Sequence, residues 1–205
     1  MRLPMPKKLV DALINHAMKH PYFHLEGYMN RYWILPYKKM RKSKASKIIF
    51  GDIASRIHHI IRSDDDRAFH SHPWSFLTII LRGGYWELKP VFDHGGFYMG
   101  YTRTWYGAGS IRFCSSKALH RLEVPEGQTA WTWFTTFRWR HDWGFLSNPA
   151  NMVPYKKYLG IPESTQPNDS TKAQRRRKKA WWLRPIKNGE FIPYSYETGE
   201  HLHVR

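Results

Sequence analysis

The chain has 205 residues, 41% hydrophobic and 16% aromatic, which suffices for one folded domain with extensions and does not fit a disordered chain. Lys and Arg number 33 against 16 Asp and Glu, a formal net charge of +17, so the field of the protein attracts polyanions such as nucleic acid, nucleotides or an anionic surface. Cys114 is the single cysteine, which excludes an intrachain disulfide and a zinc site built on cysteines.

Residues 5–20 read as an amphipathic helix. Leu9, Val10, Leu13, Ile14 and Ala17 recur at helical spacing, with Lys7, Lys8, Asp11 and Asn15 on the other face. His20-Pro21 ends it, because the residue before proline disfavours the α region. Charges and histidines interrupt this stretch, so it is neither a signal peptide nor a membrane span. A soluble cytoplasmic protein with no membrane partner is the expectation.

From Tyr28 to Phe145 the pattern changes to short β-rich runs such as RIHHIIRS, SFLTIILRG, YWELKPVF and TAWTWFTTFRW. Turn signals separate several of them: Asp64-Asp65-Asp66, Gly83-Gly84, Gly95-Gly96, Gly107 to Gly109 and Pro125-Glu126-Gly127. Closely spaced strands without intervening helices predict an all-β sandwich or barrel. The expected organisation is a helical segment over 1–24, a β-barrel over 25–161 and a basic linker with a C-terminal extension over 162–205.

Within that extension, Arg175, Arg176, Arg177, Lys178 and Lys179 form a basic tract followed by Trp181 and Trp182. It reads as a nucleic-acid-binding element that tracks the backbone, with Trp181 as a stacking ring, or equally as a solvated charge run. The later run EFIPYSY is strand-like and either docks on the barrel or pairs between subunits, which leaves a homodimer open.

The residues that carry chemistry centre on His70-Ser71-His72, followed by Pro73-Trp74. On a strand, residues i and i+2 share a face, so both imidazoles enter one space and suit Fe, Zn, Mn, Ni or Cu. The arrangement resembles the cupin superfamily. The first motif of that superfamily is met by His70, His72 and Gly84, with Leu77 in its glutamate slot and Asp64 in place of its opening glycine. The second motif is met by Gly109 and His120, while Ser115, Lys117 and Val124 stand where proline, glycine and asparagine are usual.

The resemblance implies a double-stranded β-helix, or jelly-roll barrel, in which His70, His72 and His120 converge on one divalent transition metal. A closer resemblance is to uncharacterised, phage-associated cupin-like metalloproteins. It rests on residues 62–66 (RSDDD), 70–74 (HSHPW), 81–87 (LRGGYWE), 120–123 (HRLE), Trp131 to Trp133 and Trp143-Gly144-Phe145. A phage-encoded protein of this kind would work in the host cytoplasm. With Leu77 in the glutamate slot, the ion keeps its charge and open positions. The analogy with three-histidine dioxygenases favours Fe(II), with Zn, Mn or Ni as alternatives.

Several residues are candidates for supporting roles. One of Asp64, Asp65 and Asp66 reaches the metal or orients a histidine, or the three form an acidic turn paired with Arg62 and Arg67. Glu87 enters the barrel as a catalytic general base or stays salt-bridged at the surface, and Arg82 is the candidate catalytic partner for an anionic substrate. Arg138 and Arg140 are candidate anion-binding residues beside the aromatic strand. His58 and His59, being adjacent, face opposite ways, and His201 and His203 read as surface or packing residues. Two functions follow: a metal-dependent enzyme (an Fe(II) dioxygenase, or a hydrolase or isomerase) acting on a small anionic or nucleotide-like substrate, or a non-catalytic binding module whose basic tail contacts nucleic acid. The enzyme is the preferred expectation.

Overall fold

The computed structural model describes residues 2–3, 5–22, 24–34, 53–64, 68–148, 151–158, 190–195 and 200–201. Helix α1 (Lys7–Met18) opens the chain. It is followed by β1 (Met29–Trp33), β2 (Ala54–Ile60), the short β3 (Phe69–His70), the long β4 (Trp74–Phe92), β5 (Tyr98–Gly107), β6 (Ile111–Cys114), β7 (Arg121–Glu123) and β8 (Ala130–Trp139). Next come β9 (Gly144–Asn148), β10 (Asn151–Pro154), a single helical turn α2 (Tyr155–Tyr158), β11 (Glu190–Ser195) and β12 (Glu200–His201).

All strand pairings are antiparallel, and β4 organises them. Its N-terminal half pairs with β6 on one side and β8 on the other, and β8 continues through β2 to β1. Its C-terminal half pairs with β5 and β7, and β11 extends that wall from β5. Both walls belong to one nine-stranded sheet, and β10–β9–β3 form a separate three-stranded sheet. The architecture is an all-β jelly roll.

Gly83-Gly84 therefore does not separate two strands, as its turn signal predicts. Gly83 adopts φ +70°, and a Cβ there would meet the Thr129 carbonyl oxygen at 1.9 Å. The pair is a bend that carries one strand from the first wall into the second, a use of glycine that local sequence does not distinguish from a hairpin turn. The signals at Gly96 and Gly109, also at positive φ, do sit between successive strands.

The first wall has two faces with different jobs. Ile57, Leu81 and the partly buried Ile79, Trp131 and Trp133 pack under Val10, Ile14 and Ala17 of α1. Alternation then turns Ala54, Arg56, His58 and Ile60 to the interior, opposite Thr136, Phe134, Thr132 and Ala130. Ile60, Ile80, Tyr85, Leu122, Val124 and Ala130 form one buried cluster spanning both halves of β4. Of the run EFIPYSY, Glu190–Ser195 docks within the chain, as β11 on the edge of β5. Among the described residues, no helix is long and apolar enough to cross a membrane.

Candidate metal centre

His70 and His120 are fifty residues apart in sequence and directly paired in space. An isolated antiparallel bridge joins them, with N–H to carbonyl distances of 2.9 and 3.0 Å in the two directions. His72 stands two residues past the end of β3, and its ring meets that of His70 at 5.1 Å between centroids. β3 ends at His70, and Ser71 continues its register onto Gly144 of β9: its N–H donates to the Gly144 carbonyl at 3.0 Å, and its hydroxyl accepts the Gly144 N–H at 3.1 Å. A side chain at Gly144 would strike the Val153 carbonyl oxygen at 2.5 Å, so this anchoring needs glycine. The two imidazoles enter one space as expected, although the paired strand itself stops at His70.

One nitrogen from each of His70, His72 and His120 lies within 4.8 Å of the others. Among the described residues, no other group of three histidine, cysteine or acidic side chains is arranged this way. The Nε2 atoms of His72 and His120 are 2.8 Å apart. Metal–nitrogen bonds of about 2.1 Å put neighbouring nitrogens of a six-coordinate ion about 3 Å apart. The donor set and this spacing fit a divalent transition metal.

The surroundings favour neutral, correctly turned imidazoles. Burial holds His72 well below the usual imidazole range, helped by His70, Arg112 and His58. Burial does the same to His120, helped by Arg112 and its two histidine neighbours. His120 Nδ1 lies 2.8 Å from Glu87 Oε1, which accepts the hydrogen bond of an Nδ1–H and leaves Nε2 as the free ligand atom. Glu87 is fixed in turn by the buried Arg112 guanidinium, while Lys89 sits 3.3 Å from its second oxygen. Because Arg112 stands on β6 and Glu87 on the far half of β4, this ion pair ties the two walls together behind His120.

A second carboxylate stands behind His70. Asp64 Oδ2 is 3.8 Å from His70 Nδ1 and accepts the Leu122 N–H at 2.8 Å. The other Asp64 oxygen accepts the Tyr28 hydroxyl, whose pKa is raised well above normal by burial and by Asp64 itself. Asp65, Asp66 and Arg67 lie outside the described residues. Arg62 donates to the Gly27 carbonyl at 2.7 Å.

The structure redistributes the other candidates. Leu77 shares a face with neither Phe76 nor Thr78. It pairs with Phe113 and Thr135, whereas Phe76, 2% exposed, meets His72 at 4.9 Å and His120 at 5.8 Å between ring centroids. The apolar wall of the site is therefore Phe76. His70, His72 and Phe76 keep one parity and Leu77 the other, so the slot belongs to the shorter gap of the motif, which ends on Gly83. Glu87 enters the barrel and is fully buried, with Oε1 on His120 Nδ1 and beside Arg112, the placement of a group that positions His120. Arg82 is exposed and ion-paired with Asp11 of α1, on the outer face away from the histidines. It lines a groove of about 810 Å³ with Lys7, Val10 and Ile14 that does not include the metal site.

Arg138 and Arg140 are exposed at the end of β8, where the Arg140 N–H donates to the Pro73 carbonyl at 2.7 Å, one residue from His72. Glu123 pairs with Arg121 and Arg103, away from the site. His59 stacks on Trp131 outside the barrel, and His58 faces in. Arg175, Arg176, Arg177, Lys178, Lys179, Trp181 and His203 lie outside the described residues. Sequence reasoning did not single out Arg112, Phe76 or Tyr28. Only the alternation of Arg112 with Cys114 hints at an inward charge, and nothing local identifies its partner.

Comparison with family models and with curated proteins finds no match. Solved structures similar to this chain include the hydroxypropylphosphonic acid epoxidase from S. wedmorenis, at 11% identity and a TM-score of 0.42 over 59% of this chain. The match spans 56% of the epoxidase, little more than half of its length. The polyketide cyclase RemF from Streptomyces resistomycificus is similar at 14% identity and a TM-score of 0.41, covering 66% of this chain and 81% of that one. Oxalate decarboxylase from Bacillus subtilis is similar at 14% identity and a TM-score of 0.40, covering 58% of this chain and 28% of that one.

Proposed function

We propose that the protein is a cupin-type metalloenzyme. It holds one divalent transition metal, Fe(II) in preference to Zn, Mn or Ni, through His70, His72 and His120. The observation that carries this reading is the convergence of three imidazole nitrogens within 4.8 Å, backed by Glu87 behind His120 and Asp64 behind His70. A carboxylate hydrogen-bonded as Glu87 is fixes the tautomer and raises the basicity of the ligand. A metal with three neutral ligands supplies Lewis acidity and open positions for an oxygen-donor substrate or dioxygen. The reaction class is dioxygenation, or a metal-assisted hydrolysis or isomerisation of a small anionic or nucleotide-like molecule.

The chain's own residues do the rest of the work. Phe76 excludes water from one side of the imidazoles, and the Glu87–Arg112 pair keeps His120 from rotating. Arg138 and Arg140 draw anions toward the end of β8. The test is metal analysis of the purified protein: close to one transition metal per chain is expected, with most of it lost in a folded His72→Ala variant. Wild-type protein that takes up none of Fe, Zn, Mn or Ni overturns the proposal. A second reading, a non-catalytic barrel whose tail binds nucleic acid, is favoured by the net charge of +17 and the run Arg175 to Lys179.

A further inference from the structure

The outer face of the first wall is covered by α1 over only part of its length. The helix packs on Ile57, Ile79, Leu81, Trp131 and Trp133. Beyond Ile79 and Trp133 the same alternation turns Leu77, Phe113, Phe137 and Trp139 to this outer face, and Leu77 pairs with Phe113 on one side and Thr135 on the other. Phe113 is 64% exposed and Trp139 is 53% exposed. The Phe113 and Phe137 rings lie 6.2 Å apart, so β6 and β8 build one aromatic row across β4. Trp139 continues the row toward the segment that carries His72, with its ring 5.5 Å from that of Trp74.

Cations stand at that end of the row. Arg140 is exposed next to Trp139, and its backbone is held by the N–H bond to the Pro73 carbonyl at 2.7 Å. Lys117 is exposed in the turn after β6, and the Ser116 N–H donates to the Ser75 hydroxyl at 3.1 Å, which brings that turn beside Trp74. Across residues 74–77, 111–117 and 135–142, Asp142 is the one acidic residue. Rings open to solvent on a flat sheet suit a flat partner, and the charge selects which. A second copy would bring its own Lys117 and Arg140 against these, in a chain of net charge +17. A single strand of nucleic acid offers unpaired base faces to the rings and phosphates to the cations. We infer that this face binds single-stranded nucleic acid, with bases stacked on Phe113, Phe137 and Trp139 and the backbone drawn to Lys117 and Arg140. In a duplex the base faces are already stacked on one another, so the single strand is preferred. The surface is distinct from the tract Arg175 to Lys179 and does not depend on the metal centre.

The experiment uses the full-length protein with Arg175, Arg176, Arg177, Lys178 and Lys179 changed to Gln, so that the tract does not contribute. Fluorescence anisotropy follows its binding to labelled oligo(dT), oligo(U) and a DNA duplex of the same length. Both single strands are expected to bind, and more tightly than the duplex. Phe113→Ala and Trp139→Ala should each weaken single-strand binding at least about fivefold, the loss of one stacked base, while Trp139→Phe keeps most of it. Lys117→Gln with Arg140→Gln should reduce the salt slope by about 1. Melting temperature and metal content are the controls, and both should match the parent because Phe113 and Trp139 are exposed. No binding once the tract is changed, equal affinity for the duplex, or unaltered affinity when Phe113 and Trp139 are both Ala overturns the inference and leaves the metal centre standing. A dimer in sedimentation that the same double variant dissolves makes the face a contact between copies and overturns it as well.

Discussion

Replacing Glu87 separates its role behind His120 from its role in the fold. The carboxylate is fully buried, accepts from His120 Nδ1 at 2.8 Å and faces the buried Arg112 guanidinium. In Glu87→Gln the amide oxygen still accepts from His120, so the ring keeps its orientation and loses the negative charge that strengthens its donor atom. In Glu87→Leu the orientation is lost as well. Removing such a partner weakens metal binding by about 10- to 100-fold, so Gln belongs at the lower end and Leu at the upper. Both variants also strand the Arg112 charge, which costs about 3–5 kcal/mol for a buried pair broken from one side. At about 2–4 °C per kcal/mol for a chain of this size, the metal-free protein should melt at least about 6 °C lower. Chelator competition measures the first effect and melting of metal-free protein the second. If Glu87→Leu binds metal within twofold of wild type yet melts early, Glu87 is only a structural counter-ion to Arg112, and the positioning argument fails.

The remaining expectations test other parts of the structure. Burial lowers the pKa of His58, His72 and His120 below the ordinary 6.5, so the unfolded chain takes up protons that the folded, metal-free chain does not. Stability should be level above pH 6.5 and fall as pH drops below it, by about 1.4 kcal/mol per pH unit for each histidine until the folded-state pKa values are reached. A urea midpoint unchanged between pH 7 and pH 5 would contradict their burial. Changing Arg175, Arg176, Arg177, Lys178 and Lys179 to Gln should weaken nucleic-acid binding and reduce its salt slope by up to about 4, with metal content unchanged. Identical slopes would assign the tract to a solvated linker. Gly83→Ala should destabilise the fold by about 1–3 kcal/mol, because the residue sits at φ +70° and its Cβ would meet the Thr129 carbonyl. An unaltered denaturation midpoint would mean the bend in β4 is not held there.

The amino-acid sequence alone determined what repeats locally or stands at a recognisable spacing. The apolar period of α1, the alternation along β2 and β8, and the turn glycines Gly96 and Gly109 were all legible, because each depends on neighbours a few residues away. His70, His72 and His120 were also legible, because the motif resemblance pairs segments fifty residues apart. Tertiary structure alone decided the surroundings of that triad. That Ser71 ties the segment before His72 to Gly144, that Phe76 and not Leu77 lines the site, and that Glu87 meets Arg112 behind His120 all depend on strand register. Register across β4, β6, β7 and β8 is set by the bend at Gly83 and by the long-range bridge between His70 and His120. A shift of one residue turns every side chain of a strand to its other face, so partners are fixed only once the whole barrel has closed.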